Sequence, residues 1–309
     1  MNRPTILQLA PMSSDLEAAL AARGEVARTP SEAWLAEHAA DVTAIVTGGG
    51  TGAPRELVER LPNLRLIAIN GVGYDKVDVA HAAARGVTVT NTPGVLTDDV
   101  ADLAVGLVIG LQRNLVGADR HVRDGQWPKG ELPLARKVTG LRFGIVGLGR
   151  IGRAIADRLK VFGPVAYTGR TKKDVDLPFH PDAASLAAAS DVLIVAVSAS
   201  AETRHLIDAV VLKALGPGGV LVNVARGSVV DEAALVAAID SRQIAGAALD
   251  VFADEPHVPQ PLVDSNRTLL TPHIASATVE TRAAMAALVL DNLDAFLAGR
   301  PLPTPIPPP

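Results

Sequence analysis

The chain has 309 residues, which at roughly 100–200 residues per domain leaves room for two domains and a sizeable core. Hydrophobic residues make up 48% and charged residues 20%, the balance of an ordinary globular protein and far from that of a disordered chain. The 29 Lys and Arg against 33 Asp and Glu give a net charge of −4, with no basic excess for nucleic acid or anionic lipid. The absence of Cys excludes disulfides, thiolate nucleophiles, iron–sulfur clusters and Cys-based zinc sites.

The N-terminal residues lack the basic region, long apolar region and small-residue cleavage site of a secretory signal, so a cytoplasmic location is expected. Short aliphatic runs then alternate with segments of helical period, the pattern of parallel strands joined by helical crossovers in an α/β fold. Thr5–Leu9, Thr43–Val46, Leu64–Ile69 and Val87–Thr90 read as strands, with helices such as Ser14–Arg23 and Pro54–Leu61 between them. Their unbroken apolar character predicts burial on both faces of a sheet. A helix starts near Thr97, where the side chain can cap it and Asp98 and Asp99 suit its first turn; its length suggests a connector between domains. Its most apolar stretch, Leu103–Leu111, is far shorter than the roughly 20 residues that span a bilayer.

Asp124–Val138, with Gly125, Trp127, Pro128, Gly130 and Pro133, breaks every period and reads as an excursion loop. A second parallel sheet follows: strands at Arg142–Val146, Val165–Thr168, Val192–Val197, Val220–Val224, Ala247–Val251 and Leu269–Leu270, with helices from Arg150 and Asp231. A last helix over Val279–Ala298 ends at Gly299. The tail Pro301–Pro309, six prolines in nine residues, favours an extended conformation.

Phe143-Gly-Ile-Val-Gly147-Leu-Gly149-Arg-Ile-Gly152 runs from a buried-strand pattern through Gly-x-Gly-x-x-Gly into a helix, the context of a dinucleotide-binding turn. Gly147 would make the tight turn, Gly149 would admit a pyrophosphate, and Gly152 would let the helix pack on the strand with its N–H groups toward the phosphates. About 20 residues on, where an acid normally grips the adenosine ribose, stands Tyr167-Thr168-Gly169-Arg170-Thr171-Lys172-Lys173. A 2′-phosphate could accept hydrogen bonds from Thr168 and Thr171 and pair with Arg170; the simpler alternative is a solvated basic loop.

Three segments lie where strands of the second sheet should end: Val222–Glu232 with Arg226, Leu249–Pro256 with Glu255, and Thr271–Ser276 with His273. An arginine can hold a carboxylate and polarise a carbonyl, and a histidine beside a carboxylate is a proton donor near neutral pH. The set suits hydride reduction of a 2-oxo acid. Singly, Arg226 reads equally as a solvated strand-end cation, Glu255 as a loop residue and His273 as a satisfied buried histidine.

With Asn70-Gly-Val-Gly73-Tyr-Asp75, Asn91-Thr-Pro-Gly94, the glycine turn, Glu202-Thr203, Asn223-Val-Ala-Arg226-Gly, Asp254-Glu255-Pro and Pro272-His273, nearly the whole chain resembles the D-isomer-specific 2-hydroxyacid dehydrogenases. The resemblance implies a Rossmann cofactor domain (97–286) inserted into a flavodoxin-like substrate domain (1–96 plus 287–309), with hinges near Thr92–Thr97 and Ala287–Asn292, a cleft between the domains, and a homodimer formed through Leu103–Leu111 and the Trp127 excursion. It also implies that Arg226 binds and polarises the substrate, that Glu255 supports His273, that His273 exchanges the proton, and that N–H groups of the Gly71-Val72-Gly73 loop hold the substrate carboxylate. Leu148, Arg150, Ile151, Thr203 and Asp250 join the three glycines and Thr168, Arg170 and Thr171 as cofactor-binding residues, and no metal is implied.

Thr168-Gly-Arg170 resembles the NADP-using branches of the family, and Ala275 stands where Gly is usual. The expectation is therefore an NADPH-dependent reductase of glyoxylate and hydroxypyruvate, acting on small molecules and not on nucleic acid or membranes. The alternatives are a hydroxyphenylpyruvate or 2-ketogluconate reductase and, from another class, a dinucleotide-sensing module like the corepressors that resemble this family.

Overall fold

The structure, a computed structural model, describes residues 3–28 and 30–308. It divides into two compact units, Met1–Leu96 with Thr278–Pro309 and Thr97–Ala277.

The first unit is built on β1 (Thr5–Gln8), β2 (Glu25–Arg28), β3 (Val42–Gly48), β4 (Leu66–Asn70) and β5 (Thr88–Thr90), all parallel in the order β2-β1-β3-β4-β5. That is the flavodoxin-like doubly wound order. Helices α1 (Ser14–Arg23), α2 (Glu32–His38), α3 (Arg55–Arg60) and α4 (Val79–Ala84) connect the strands. The two-residue period of the strands sorts their side chains between two cores. Leu7, Ile45, Ile67 and Ile69 pack with Leu35, Val58 and Val79 of α2, α3 and α4 on one face. Ile6, Ala44, Val46, Leu66 and Ala68 pack on the other with Leu16 and Leu20 of α1 and with Val289 and Leu293 of the last helix.

In the second unit α5 (Thr97–Gln112) and α6 (Leu115–Arg123) lead through the excursion, where one turn at Trp127–Lys129 is helical, to a seven-stranded parallel sheet. Its strands are β6 (Phe143–Val146), β7 (Val165–Thr168), β8 (Phe179–His180), β9 (Val192–Val195), β10 (Val220–Asn223), β11 (Gly246–Leu249) and β12 (Thr268–Leu270). The order β8-β7-β6-β9-β10-β11-β12 is that of a Rossmann sheet with one strand added. Helices α7 (Arg150–Leu159), α8 (Ala183–Ala188), α9 (Ala209–Leu215), α10 (Glu232–Asp240) and α11 (Gln260–Asp264) flank it. One register row crosses six strands: Thr168, Val146, Val195, Asn223, Leu249 and Leu270 are successive partners. Whatever follows this row emerges at one edge of the sheet.

Two sequence expectations change, and a third is met. The helix expected from near Thr97 is α5, which begins the second unit and packs there: Val100, Ala101, Ala104, Leu107 and Val108 are buried, and Arg158 of α7 donates to Asp102 (2.6 Å) and Asp98 (2.9 Å). The second boundary falls at 277/278 instead of 286/287. Thr278 caps α12 (Val279–Leu297), whose sequence holds no Gly or Pro, so the proposed hinge at 287–292 lies inside an uninterrupted helix. The edge strands β2 and β8 were not foreseen: β2 has no fully buried residue and β8 is two residues long. The tail pairs Thr90 with Pro305, and the Ile306 N–H donates to the Val89 carbonyl at 2.8 Å; Pro309 lies outside the described residues. No single helix among the described residues is long and apolar enough to cross a membrane.

Candidate active site

The glycine turn follows the fully buried β6. Gly147 has φ +98°, a conformation L side chains avoid, and a Cβ at Gly152 would collide with the Gly147 carbonyl oxygen. A Cβ at Gly149 would meet open space, and no side chain caps α7 there. The first N–H groups of α7 are therefore directed at a ligand position, where they complement anionic oxygens. Leu148 is buried, Ile151 half-buried and Arg150 exposed around this turn. These features fit a dinucleotide pyrophosphate.

Thr168 closes β7 beside the turn, its carbonyl accepting the Gly147 N–H at 2.9 Å, and is 5% exposed. Arg170 and Thr171 are exposed in the loop beyond. Tyr167, buried in the sheet, accepts the Lys173 N–H at 2.6 Å and donates to the Lys173 carbonyl at 3.3 Å, which fixes the far end of that loop. Thr203, on the turn after β9, is engaged locally: its hydroxyl donates to the Ser198 carbonyl (2.9 Å) and accepts the Ser200 N–H (2.8 Å).

The ends of β10, β11 and β12 carry the remaining groups. Asn223, 1% exposed, accepts the Ala225 N–H and donates to the Arg226 carbonyl, both at 3.0 Å, which shapes the turn that presents Arg226. Arg226 donates to the Ala225 carbonyl at 2.9 Å. Asp250 is fully buried. Its Oδ1 accepts from the Thr271 hydroxyl (2.7 Å) and the Ile274 N–H (2.8 Å), its Oδ2 from the Ala275 N–H (3.0 Å), and its carbonyl from the His273 N–H (2.8 Å). The structure thus places this expected cofactor residue beneath the loop that carries His273, with both oxygens engaged there. His273 itself has φ +53°, a strained conformation for a non-glycine residue that these bonds hold.

Glu255 completes the arrangement. Its Oε2 lies 2.7 Å from His273 Nδ1 and its Oε1 accepts the Phe252 N–H at 3.0 Å. Because a carboxylate accepts and Nδ1 donates, Nε2 is left as the nitrogen that exchanges a proton. Burial pushes the Glu255 carboxyl up, but hydrogen bonds from His273 and the Phe252 N–H, with the charges of His273 and Arg226, outweigh it and hold the group below the usual glutamate value.

The Gly71–Gly73 loop belongs to the first unit and follows β4. The Gly71 carbonyl accepts the Thr92 N–H (2.9 Å) and the Val72 carbonyl accepts from the Asn91 amide (2.8 Å), while no acceptor among the described residues takes the Val72 or Gly73 N–H. Sequence reasoning quoted Asn223, Asn91 and Tyr167 within its motifs but gave them no role, and it did not foresee the bonds of Asp250 to the His273 loop.

The pattern of the D-isomer specific 2-hydroxyacid dehydrogenase family, NAD binding domain, matches residues 105–275. The chain belongs to this family. It is 46% identical to a glyoxylate/hydroxypyruvate reductase of Arabidopsis thaliana, over 97% of this chain and 98% of that one, and 44% identical to a hydroxyphenylpyruvate reductase of Plectranthus scutellarioides, over 97% and 98%. Among solved structures it superposes with a TM-score of 0.92 on an NADPH-dependent glyoxylate/hydroxypyruvate reductase of Sinorhizobium meliloti in complex with NADP and malonate, with 43% identity and 99% and 97% coverage.

Because the Glu255 carboxyl lies below its unfolded value, the ionised group stabilises this dehydrogenase above the ordinary glutamate range of about 4.3, and the contribution is lost as pH falls through the native value. The stability difference between wild type and Glu255→Gln, measured by urea unfolding, is expected at neutral pH and should vanish in acid. A difference that stays constant into acid contradicts the pairing.

Proposed function

We propose that this chain reduces small 2-oxo acids, glyoxylate and hydroxypyruvate among them, to D-2-hydroxy acids with NADPH. The observation that carries the reading is the 2.7 Å Glu255–His273 contact, set at the same sheet edge as Arg226 and the glycine turn. The names of the relatives support the substrate class.

NADPH supplies, when bound, the hydride that reduces the substrate C2. His273 donates the Nε2 proton to the carbonyl oxygen as the alcohol forms, while Glu255 stabilises the imidazolium and fixes its orientation. Arg226 holds the substrate carboxylate and polarises the carbonyl, and the Val72 and Gly73 N–H groups serve as further carboxylate donors. Gly147, Gly149 and Gly152, with Leu148, Arg150 and Ile151, receive the pyrophosphate, and Thr168, Arg170 and Thr171 receive the 2′-phosphate. Thr203 and Asp250 line the cofactor position as supports of the adjoining loops.

We further propose a homodimer. Of the expected Leu103–Leu111 surface, Ala104, Leu107, Val108 and Gly110 are buried within the chain; the exposed apolar residues are instead Leu115, Val116 and Val122 of α6 with Trp127 and Leu134 of the excursion, a surface that an isologous twofold contact would cover. Light scattering should give twice the 32.0 kDa chain mass, whereas the mass of one chain rejects the dimer.

Replacement of His273 by Ala removes the proton donor and should lower turnover of glyoxylate or hydroxypyruvate by about 10²–10⁴-fold with little change in NADPH affinity. Turnover near wild type would exclude His273 from the chemistry.

Cofactor choice depends on Thr168 and Arg170. Thr168 presents no carboxylate to repel a 2′-phosphate, and a charge-assisted contact from Arg170 contributes about 1.5–3 kcal/mol, roughly 10–150-fold in favour of NADPH. The ratio of kcat/KM values for NADPH and NADH should reverse in the double variant Thr168→Asp, Arg170→Ala. Equal or better use of NADH by the wild type refutes the assignment.

A further inference from the structure

A second carboxylate is built into the turn that carries Glu255. Glu232 is the first residue of α10, but the cap of that helix is already made by Asp231, whose side chain accepts the Ala234 N–H at 3.0 Å. Glu232 instead reaches across 21 residues, and its Oε1 accepts the Ala253 N–H at 2.8 Å. The preceding N–H, that of Phe252, goes to Oε1 of Glu255 at 3.0 Å. Two successive backbone donors are thus divided between two carboxylates, one of which holds His273 through its other oxygen.

The same place is where the Arg226 turn and the Glu255 turn touch. A Cβ on Gly227 would overlap the Phe252 carbonyl group and the Ala253 nitrogen, so the chain just after Arg226 lies directly against the backbone to which Glu232 is bonded. Glu232 follows that turn by six residues and grips the far side of the contact. We propose that Glu232 is a positioning residue for the Glu255–His273 pair, keying the Glu255 turn to the Arg226 turn.

The arrangement carries an electrostatic cost that a helix-end acid has no need of. Burial pushes the Glu232 carboxyl up, the Ala253 N–H draws it back, and the charges of Asp254 and Glu255 on the facing turn raise it further, so that it stands above the ordinary glutamate value. Arg226, on the other flank, acts on Glu255 and counters part of this negative charge. When ionised, Glu232 adds a negative charge beside Glu255, whose other oxygen lies at His273 Nδ1.

This inference rests on the reading of His273 as proton donor, and the experiment separates the two. The full chain is assayed with hydroxypyruvate and NADPH as a function of pH for wild type, Glu232→Ala, Glu232→Gln and His273→Ala. Loss of the Ala253 tether should lower kcat about tenfold in Glu232→Ala, since small displacements of reacting groups are costly, with the KM for NADPH unchanged. Glu232→Gln keeps an acceptor oxygen and recovers most of that kcat, yet, having lost the charge, shares with Glu232→Ala an alkaline limb of kcat/KM displaced to lower pH. A helix-end acid of purely structural effect would move thermal stability and leave that limb in place. Wild-type kcat in Glu232→Ala, or a wild-type alkaline limb in Glu232→Gln, overturns the proposal while an inactive His273→Ala leaves the donor reading standing. A fully active His273→Ala overturns both. Should Glu232→Ala fail to fold, the limb of the isosteric Glu232→Gln decides.

Discussion

The carboxylate of Asp250 is the constraint on which the catalytic geometry depends. A carboxylate with no exposed surface is tolerable only when its oxygens are supplied with donors, and here Thr271, Ile274 and Ala275 supply them. The exchange works in both directions. The loop satisfies the buried acid, and the acid turns the polar groups of Thr271, Ile274 and Ala275 inward on either side of His273, which has φ +53°. Left-handed backbone at a non-glycine residue costs of order 1–3 kcal/mol unless its surroundings compel it. The strain therefore marks a residue held in place by its neighbours, and the residue so held is the one whose ring reaches Glu255.

Above that constraint lies the register of the sheet. Because Asn223, Leu249 and Leu270 are direct partners, the chain leaves β10, β11 and β12 at the same height. Arg226, Asp250 and His273, three, one and three residues further on, share an edge without any long-range search for one another. The same row continues through Val195 and Val146 to Thr168, so the glycine turn and Thr168 open onto that edge too. A parallel sheet makes this possible: its crossovers return every strand in one direction, and all C-terminal ends collect on one side.

How much of this was legible in the sequence follows from the range of the interactions. Apolar runs such as Val192–Val195 declare themselves, because burial on both faces leaves little room for polar residues. Gly147, Gly149 and Gly152 were legible because a steric requirement at three close positions is a local pattern. Arg226, Glu255 and His273 were readable as residue types near strand ends, but their union was expected only from the family resemblance and not from local pattern: the hydrogen bond that joins Glu255 to His273 spans 18 residues, and the one from Ala275 to Asp250 spans 25. Asp250 was expected at the cofactor from the resemblance alone, and its bonds to Thr271, Ile274 and Ala275 had no local signal. The boundary near 287 failed for a related reason: the amphipathic period of α12 is continuous from Val279, and only the packing of Val289 and Leu293 against Ile6 and Leu66 shows where that helix belongs.

Cofactor recognition divides along the same line between backbone and side chain. The glycine turn and the uncapped start of α7 offer N–H groups to a pyrophosphate, which NADH and NADPH both possess, so this part of the site favours neither. On the function proposed above, discrimination falls to Thr168, anchored by the register of β7, and to Arg170, carried on an exposed loop. That loop is not free at its far end, since the Tyr167 phenol engages both backbone groups of Lys173. A tethered loop presents its cation with less conformational entropy to lose on contact with a phosphate. On that proposal the side chains at 168 and 170 are exchangeable on a fixed backbone, and cofactor preference is separable from the fold that binds the cofactor.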